Sequence, residues 1–115
     1  MLDARALELI ESLAKSVQDF HLRFGLLGPC TREDLLARIP IQDEEVHELH
    51  QAILNETPER IASEAADVLY VAIGTLVSLD SELVAGALAE VIDKNSAKTE
   101  RTHYINAAGK VVRRL

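Results

Sequence analysis

A single cysteine, Cys30, and no tryptophan occur in this 115-residue chain. One thiol excludes an internal disulfide framework and fits a reducing compartment. Long apolar runs are missing too. The longest uncharged stretch, Val68 to Leu79, has 12 residues and is too short to cross a bilayer. Asp3, Arg5, Glu8, Glu11, Lys15 and Asp19 are spread through the first twenty residues, so no signal-peptide core is expected there. Five glycines and three prolines form no internal repeat, no low-complexity tract and no phosphate-cradling glycine loop. No serine–histidine–aspartate arrangement stands out. Bases are in deficit: nineteen acids face twelve, for a net charge of −7, which disfavours a nucleic-acid partner.

What is present points to a folded chain. A hydrophobic fraction of 48% is too high for disorder. A chain of this length buries roughly two thirds of its unfolded surface, enough for a core without staples. The expectation is one soluble, cytoplasmic domain with no membrane partner. Charge is unevenly placed within it. From Lys94 onward six bases (Lys94, Lys98, Arg101, Lys110, Arg113, Arg114) accompany one acid, Glu100, leaving the first 93 residues at −12. An acidic body with a basic tail suits an anion held through metal ions.

Periodicity predicts an all-α, four-helix bundle. Leu2, Ala6, Leu9, Ile10, Leu13, Val17, Phe20 and Phe24 form an amphipathic stripe that Gly25 and Gly28-Pro29 close. Thr31 and Asp34 start a short helical piece reaching Arg38, which Pro40 interrupts. A second helix is expected from Ile41 to Asn55. Thr57-Pro58-Glu59 then opens a third that reaches Leu79. Asp80 or Ser81 caps a fourth that ends near Lys98. Short linkers favour antiparallel neighbours. No strand pattern is visible. Residues 1–98 are read as a helical catalytic bundle, and residues 99–115 as a basic tail of the same domain.

The third helix carries the functional signal. Thirteen of the nineteen residues from Ile61 to Leu79 are apolar, and the only charges in that stretch are Glu64 and Asp67. Three apart, they lie about 60° from each other around a helix. Burying unpaired carboxylates costs several kcal/mol, so such groups are normally paired or bound to a cation. Glu45 and Glu48 repeat the spacing on the second helix, with Glu44 four residues before Glu48. Across an antiparallel interface, Glu45, Glu48, Glu64 and Asp67 would converge on a hard, oxygen-rich site suited to Mg²⁺ or Mn²⁺.

The pattern Glu45-x-x-Glu48, fifteen residues, then Glu64-x-x-Asp67 resembles the defining motif of the all-α nucleoside triphosphate pyrophosphohydrolases, the MazG-like superfamily. Val17-Gln18-Asp19-Phe20-His21-Leu22-Arg23-Phe24-Gly25 and Ala66-Asp67-Val68-Leu69-Tyr70-Val71 are similar to segments of its phosphoribosyl-ATP pyrophosphohydrolase-like branch. So is the tail Asn95-Ser96-Ala97-Lys98 with Gly109-Lys110-Val111, where Ala97 and Ala108 replace the family's serine and aspartate. The resemblance implies Mg²⁺-dependent cleavage between α- and β-phosphates, releasing a nucleoside monophosphate and pyrophosphate. It makes Glu45, Glu48, Glu64 and Asp67 the metal ligands, and Glu44 the group that orients or deprotonates the attacking water. Asn95, Lys98 and Lys110 would hold phosphate oxygens, with His21 and Tyr70 as substrate contacts. A house-cleaning role on nucleoside triphosphates and hydrolysis of phosphoribosyl-ATP in histidine biosynthesis are both compatible.

Two rival classes remain at this point. Glu44-x-x-His47 is one copy of the motif that di-iron or di-manganese carboxylate bundles use twice. A non-catalytic helical interaction module would bind no metal specifically. The apolar third helix also implies that a single chain leaves it partly uncovered, so a homodimer or homotetramer is expected.

Overall fold

A computed structural model describes residues 1–115. The elements in chain order are α1 (Ala4–Arg23), α2 (Arg32–Leu36), α3 (Arg38–Asn55), α4 (Pro58–Val77), α5 (Ser81–Ser96), β1 (His103–Ile105) and β2 (Val111–Arg113). Four long helices and one short one make the chain all-α, as its periodicity predicts. It divides into two compact units, Met1–Ser81 and Glu82–Leu115.

In the first unit α1, α2 and α4 start where side-chain chemistry satisfies free amides, whereas α3 follows Ala37 with no side-chain cap. The Asp3 carboxylate accepts from the Ala6 amide at 2.8 Å. Thr31 and Asp34 form a reciprocal capping box on α2, each bond 3.1 Å long. Thr57 Oγ1 accepts from the Arg60 amide, with Pro58 at the first position of α4. Gly25, at φ 66°, ends α1 in the left-handed region that glycine favours.

The second long helix corrects the sequence reading. It begins at Arg38 rather than Ile41, and Pro40 lies inside its first turn. An amide there has no intrahelical acceptor, so a proline costs nothing and does not break the helix.

The α3–α4 packing is the most extensive in the unit, followed by α1 on α4. Its direction is antiparallel. Arg38, at the start of α3, donates from Nε to Thr75 Oγ1 (3.1 Å) and from Nη2 to the Val71 carbonyl (2.9 Å), near the end of α4. Seven to ten residues further along α3, Glu45 and Glu48 meet Glu64, near the start of α4. Gly74 permits the Arg38 contact. A Cβ there would collide with the Arg38 guanidinium and stand 3.2 Å from His21 Cε1.

The loop after α1 is fastened to the end of α4. The Gly28 amide donates to the Val77 carbonyl and the Cys30 amide to the Ser78 carbonyl, both at 2.9 Å. The buried apolar side chains are few: Val17, Ala52 and Val71. α4 is not enclosed on all sides, because Ala62, Ala65, Ala66 and Ala72 remain exposed.

The second unit holds α5 and a hairpin where no strand was expected. β1 and β2 pair antiparallel, with Tyr104 opposite Val112. Three-residue strands are too short to display a two-residue period. The turn chemistry is clearer: Asn106 Oδ1 accepts from the amides of Ala108 (3.0 Å) and Lys110 (2.9 Å), and Gly109 takes φ 81°. The Arg114 guanidinium lies 5.5 Å from the Tyr104 ring centroid. No helix is long and apolar enough to cross a membrane.

Candidate functional site

Three carboxylates gather between α3 and α4. Glu45 and Glu48 stand one turn apart on α3, and Glu64 projects from α4. One oxygen of each lies within 4.8 Å of the others. Glu64 is 4% exposed, Glu45 is half-buried and Glu48 is exposed. Glu45 Oε2 and Glu64 Oε2 are both buried without a hydrogen-bond partner. A buried acceptor left unpaired costs about 1–3 kcal/mol, and more when it is charged. Two such atoms beside a third carboxylate make an all-oxygen donor set that fits a hard divalent cation.

One cation touches the group. Arg60 Nη2 donates to Glu64 Oε1, and Arg60 Nε donates to Glu56 Oε1 at 3.3 Å. Both partners are four residues from Arg60: Glu64 one turn along α4, and Glu56 in the α3–α4 turn that precedes its N-cap. A single guanidinium shared between Glu56 and Glu64 leaves Glu45 and Glu48 uncompensated.

The electrostatics show this directly. Burial pushes the Glu45 carboxyl above its ordinary 4.5, and the charges of Asp67, Glu44 and Glu64 add to the rise, while a hydrogen bond with Glu48 opposes it. Glu48 is also raised, first by the Glu45 charge and then by burial and by Glu64 and Glu44. A carboxyl raised in the folded state contributes stability that is full below its unfolded value. That contribution is lost as pH rises through the folded value. In metal-free protein, stability contributed by this cluster is therefore expected to fall as pH climbs above 4.5. Comparing urea midpoints of wild type and Glu45→Gln across that range checks the sign: the substitution should flatten the decline.

Asp67 corrects the expectation of four carboxylates converging in the interior. It is exposed and outside the three-oxygen group, although its charge reaches Glu45 and Arg60. Glu44 is exposed beside Glu45, and its charge acts on both Glu45 and Glu48. His47 is exposed and no histidine joins the three oxygens, so the di-iron reading loses its second ligand type.

The remaining candidates fall elsewhere. His21 is buried at 3% exposure, its Nδ1–H donating to the Val17 carbonyl at 2.8 Å; it packs within the helices rather than facing solvent. Tyr70 is half-buried, edge-on to Phe20 at 6.4 Å between centroids. In the second unit Lys98 Nζ donates to Asn95 Oδ1 at 3.1 Å, and Lys110 is exposed on the hairpin turn. Two arginines escape a sequence reading. Arg60 stands one residue before the apolar stretch that draws attention to Glu64, and its i, i+4 relation to Glu56 and Glu64 was the available signal. Arg38 is hidden by the apparent break at Pro40.

An all-α chain whose two antiparallel helices share a carboxylate cluster defines a candidate divalent-cation protein. Comparison with known families makes that specific. Residues 31–95 match the phosphoribosyl-ATP pyrophosphohydrolase family, and the chain belongs to it, within the MazG-like all-α superfamily. It is accordingly a pyrophosphohydrolase, a hydrolase of phosphoric anhydride bonds. Family members usually use a divalent metal. The match includes Glu44, Glu45, Glu48, Glu64, Asp67, Tyr70 and Asn95; His21, Lys98 and Lys110 lie outside it. No curated protein and no solved structure matches the chain significantly.

Proposed function

We propose that the chain hydrolyses a nucleoside triphosphate between its α- and β-phosphates, releasing the monophosphate and pyrophosphate, in nucleotide-pool house-cleaning. The observation that carries this reading is the trio Glu45, Glu48 and Glu64, with two buried oxygens lacking any partner. These residues would hold Mg²⁺, with Mn²⁺ also suited to the donors, and Asp67 would complete the set from the exposed flank. A bound ion there supplies neutralisation of phosphate charge and a more acidic attacking water. Glu44, exposed beside Glu45, orients that water or takes its proton. Within the second unit, Asn95 and Lys98, hydrogen-bonded to each other, and Lys110 carry an amide and two point charges, groups of the kind that bind phosphate oxygens.

The family match favours a second substrate, phosphoribosyl-ATP, in which the same anhydride bond is cleaved. A panel containing dUTP, dCTP, the common nucleoside triphosphates and phosphoribosyl-ATP separates the two. Pyrophosphate release is expected with Mg²⁺, absent in excess EDTA and restored by added Mg²⁺. Release of inorganic phosphate alone would overturn cleavage at the α–β bond.

In this reading the enzyme is cytoplasmic and works as a homodimer or homotetramer. Support comes from the small buried core and from large apolar side chains left exposed on α1 and α3, among them Leu7, Leu9, Leu22, Ile53 and Leu54. A second copy would cover such helix faces. Light scattering at micromolar concentration should give a multiple of 12.7 kDa; the monomer mass would refute assembly.

A further inference from the structure

We infer that Arg60 is the resident counter-ion of the metal-free centre, displaced onto Glu56 when a divalent cation enters. This rests on the metal reading of the Glu45–Glu48–Glu64 trio and adds a residue that the family's acidic motif does not contain.

The geometry is specific. Glu64 is almost wholly buried, and it divides its two oxygens: Oε1 accepts from Arg60, whereas Oε2 has no partner. Arg60 is half-exposed, so its head group is free to move without disturbing the packed interior. Glu56, the extended residue that ends α3, already holds its Nε at 3.3 Å, eight residues before Glu64 and outside the trio. The guanidinium thus has two anionic seats, one in the α3–α4 turn and one on α4. Only the Glu64 seat competes with a metal ion for a carboxylate of the cluster. Full use of Glu64 as a ligand requires that Arg60 release Oε1, and Glu56 supplies the place to which the charge withdraws.

Two opposite consequences follow. Removing Arg60 should strengthen cation binding, because nothing then has to be displaced. Removing Glu56 should weaken it, because the withdrawn arginine loses its alternative seat. Simple attraction by the Glu56 charge would also weaken binding on its loss, but that effect would persist whether or not Arg60 is present. A double-mutant cycle separates the two.

Mn²⁺ titration by calorimetry on the metal-free full chain tests this without any assay of turnover. For Arg60→Gln the dissociation constant is expected to fall by about fivefold, the scale of a half-exposed ion pair. For Glu56→Gln it should rise about two- to threefold in the wild-type background and stay unchanged in the Arg60→Gln background. Circular dichroism melting of each metal-free variant verifies that all four proteins are folded at the titration temperature. Equal affinity of Arg60→Gln and wild type, or an equal Glu56→Gln effect in both backgrounds, overturns the counter-ion role while leaving the metal centre standing. Failure of all four folded proteins to bind Mn²⁺ removes the centre itself and this role with it.

Discussion

Replacing Glu48 by alanine is expected to lower pyrophosphate release by at least about a hundredfold while raising the melting temperature of the metal-free protein. The two effects have one origin. Glu48 stands between Glu45 and Glu64, and its own carboxyl is raised chiefly by the Glu45 charge. Deleting it relieves repulsion with Glu45, to which Arg60 makes no ion pair, so the fold gains. The same deletion strips a donor from the site that would hold the catalytic ion, so the chemistry loses. Opposite signs are the useful part of the result. A variant that failed merely by unfolding would lose activity and melting temperature together. Steady-state assays with Mg²⁺, paired with thermal melts in EDTA, measure both. Full activity in Glu48→Ala would remove Glu48 from the ligand set.

Substituting Gly28 by alanine should cost about 2–3 kcal/mol of folding stability, among the larger effects of a single methyl group. A Cβ at that position would overlap the Ser78 carbonyl group and lie 2.8 Å from the Leu79 amide nitrogen. Those atoms are backbone and cannot swing aside as a side chain would. They are also tied down, because the Ser78 carbonyl accepts from Cys30 and the neighbouring Val77 carbonyl accepts from Gly28 itself. The collision therefore pries the loop after α1 away from the end of α4. Urea denaturation should show the midpoint falling with little change in slope. Glu64 lies fourteen residues earlier on the helix, about 21 Å away, so Mn²⁺ affinity of the folded variant should be retained. An unshifted midpoint would mean that the loop–helix junction yields at no cost.

The helices were legible where local chemistry and tertiary packing agree. Thr57 and Pro58 announce the start of α4 because a capping hydroxyl and a missing amide are both advantages there. Pro40 misleads for the same reason in reverse: the residue that breaks a helix interior is harmless in a first turn, and sequence alone does not say which turn it occupies. The hairpin was invisible because each strand spans three residues, although Asn106 and Gly109 already carried the turn between them.

The site was legible to the extent that helical spacing determines direction. Glu45 and Glu48 on one helix, and Glu64 on the next, meet as an antiparallel pair requires. Asp67, one turn further along α4, is exposed and stays outside the three-oxygen group, although its charge is the leading one on Glu45. α4 carries a row of exposed alanines, in keeping with the expectation that one chain leaves so apolar a helix partly uncovered. Arg60 required attention to the helix edge rather than to the apolar stretch.

The three gathered carboxylates come from a span of only twenty residues, Glu45 to Glu64, folded back on itself at Glu56 and Thr57. Closing so short a loop carries a small entropic cost, so the ion-binding geometry is a local property of one helical hairpin. Neither α1 nor anything after α4 contributes an oxygen to it. Substitutions in α1 or after α4 are accordingly expected to leave the three-oxygen arrangement of the hairpin in place.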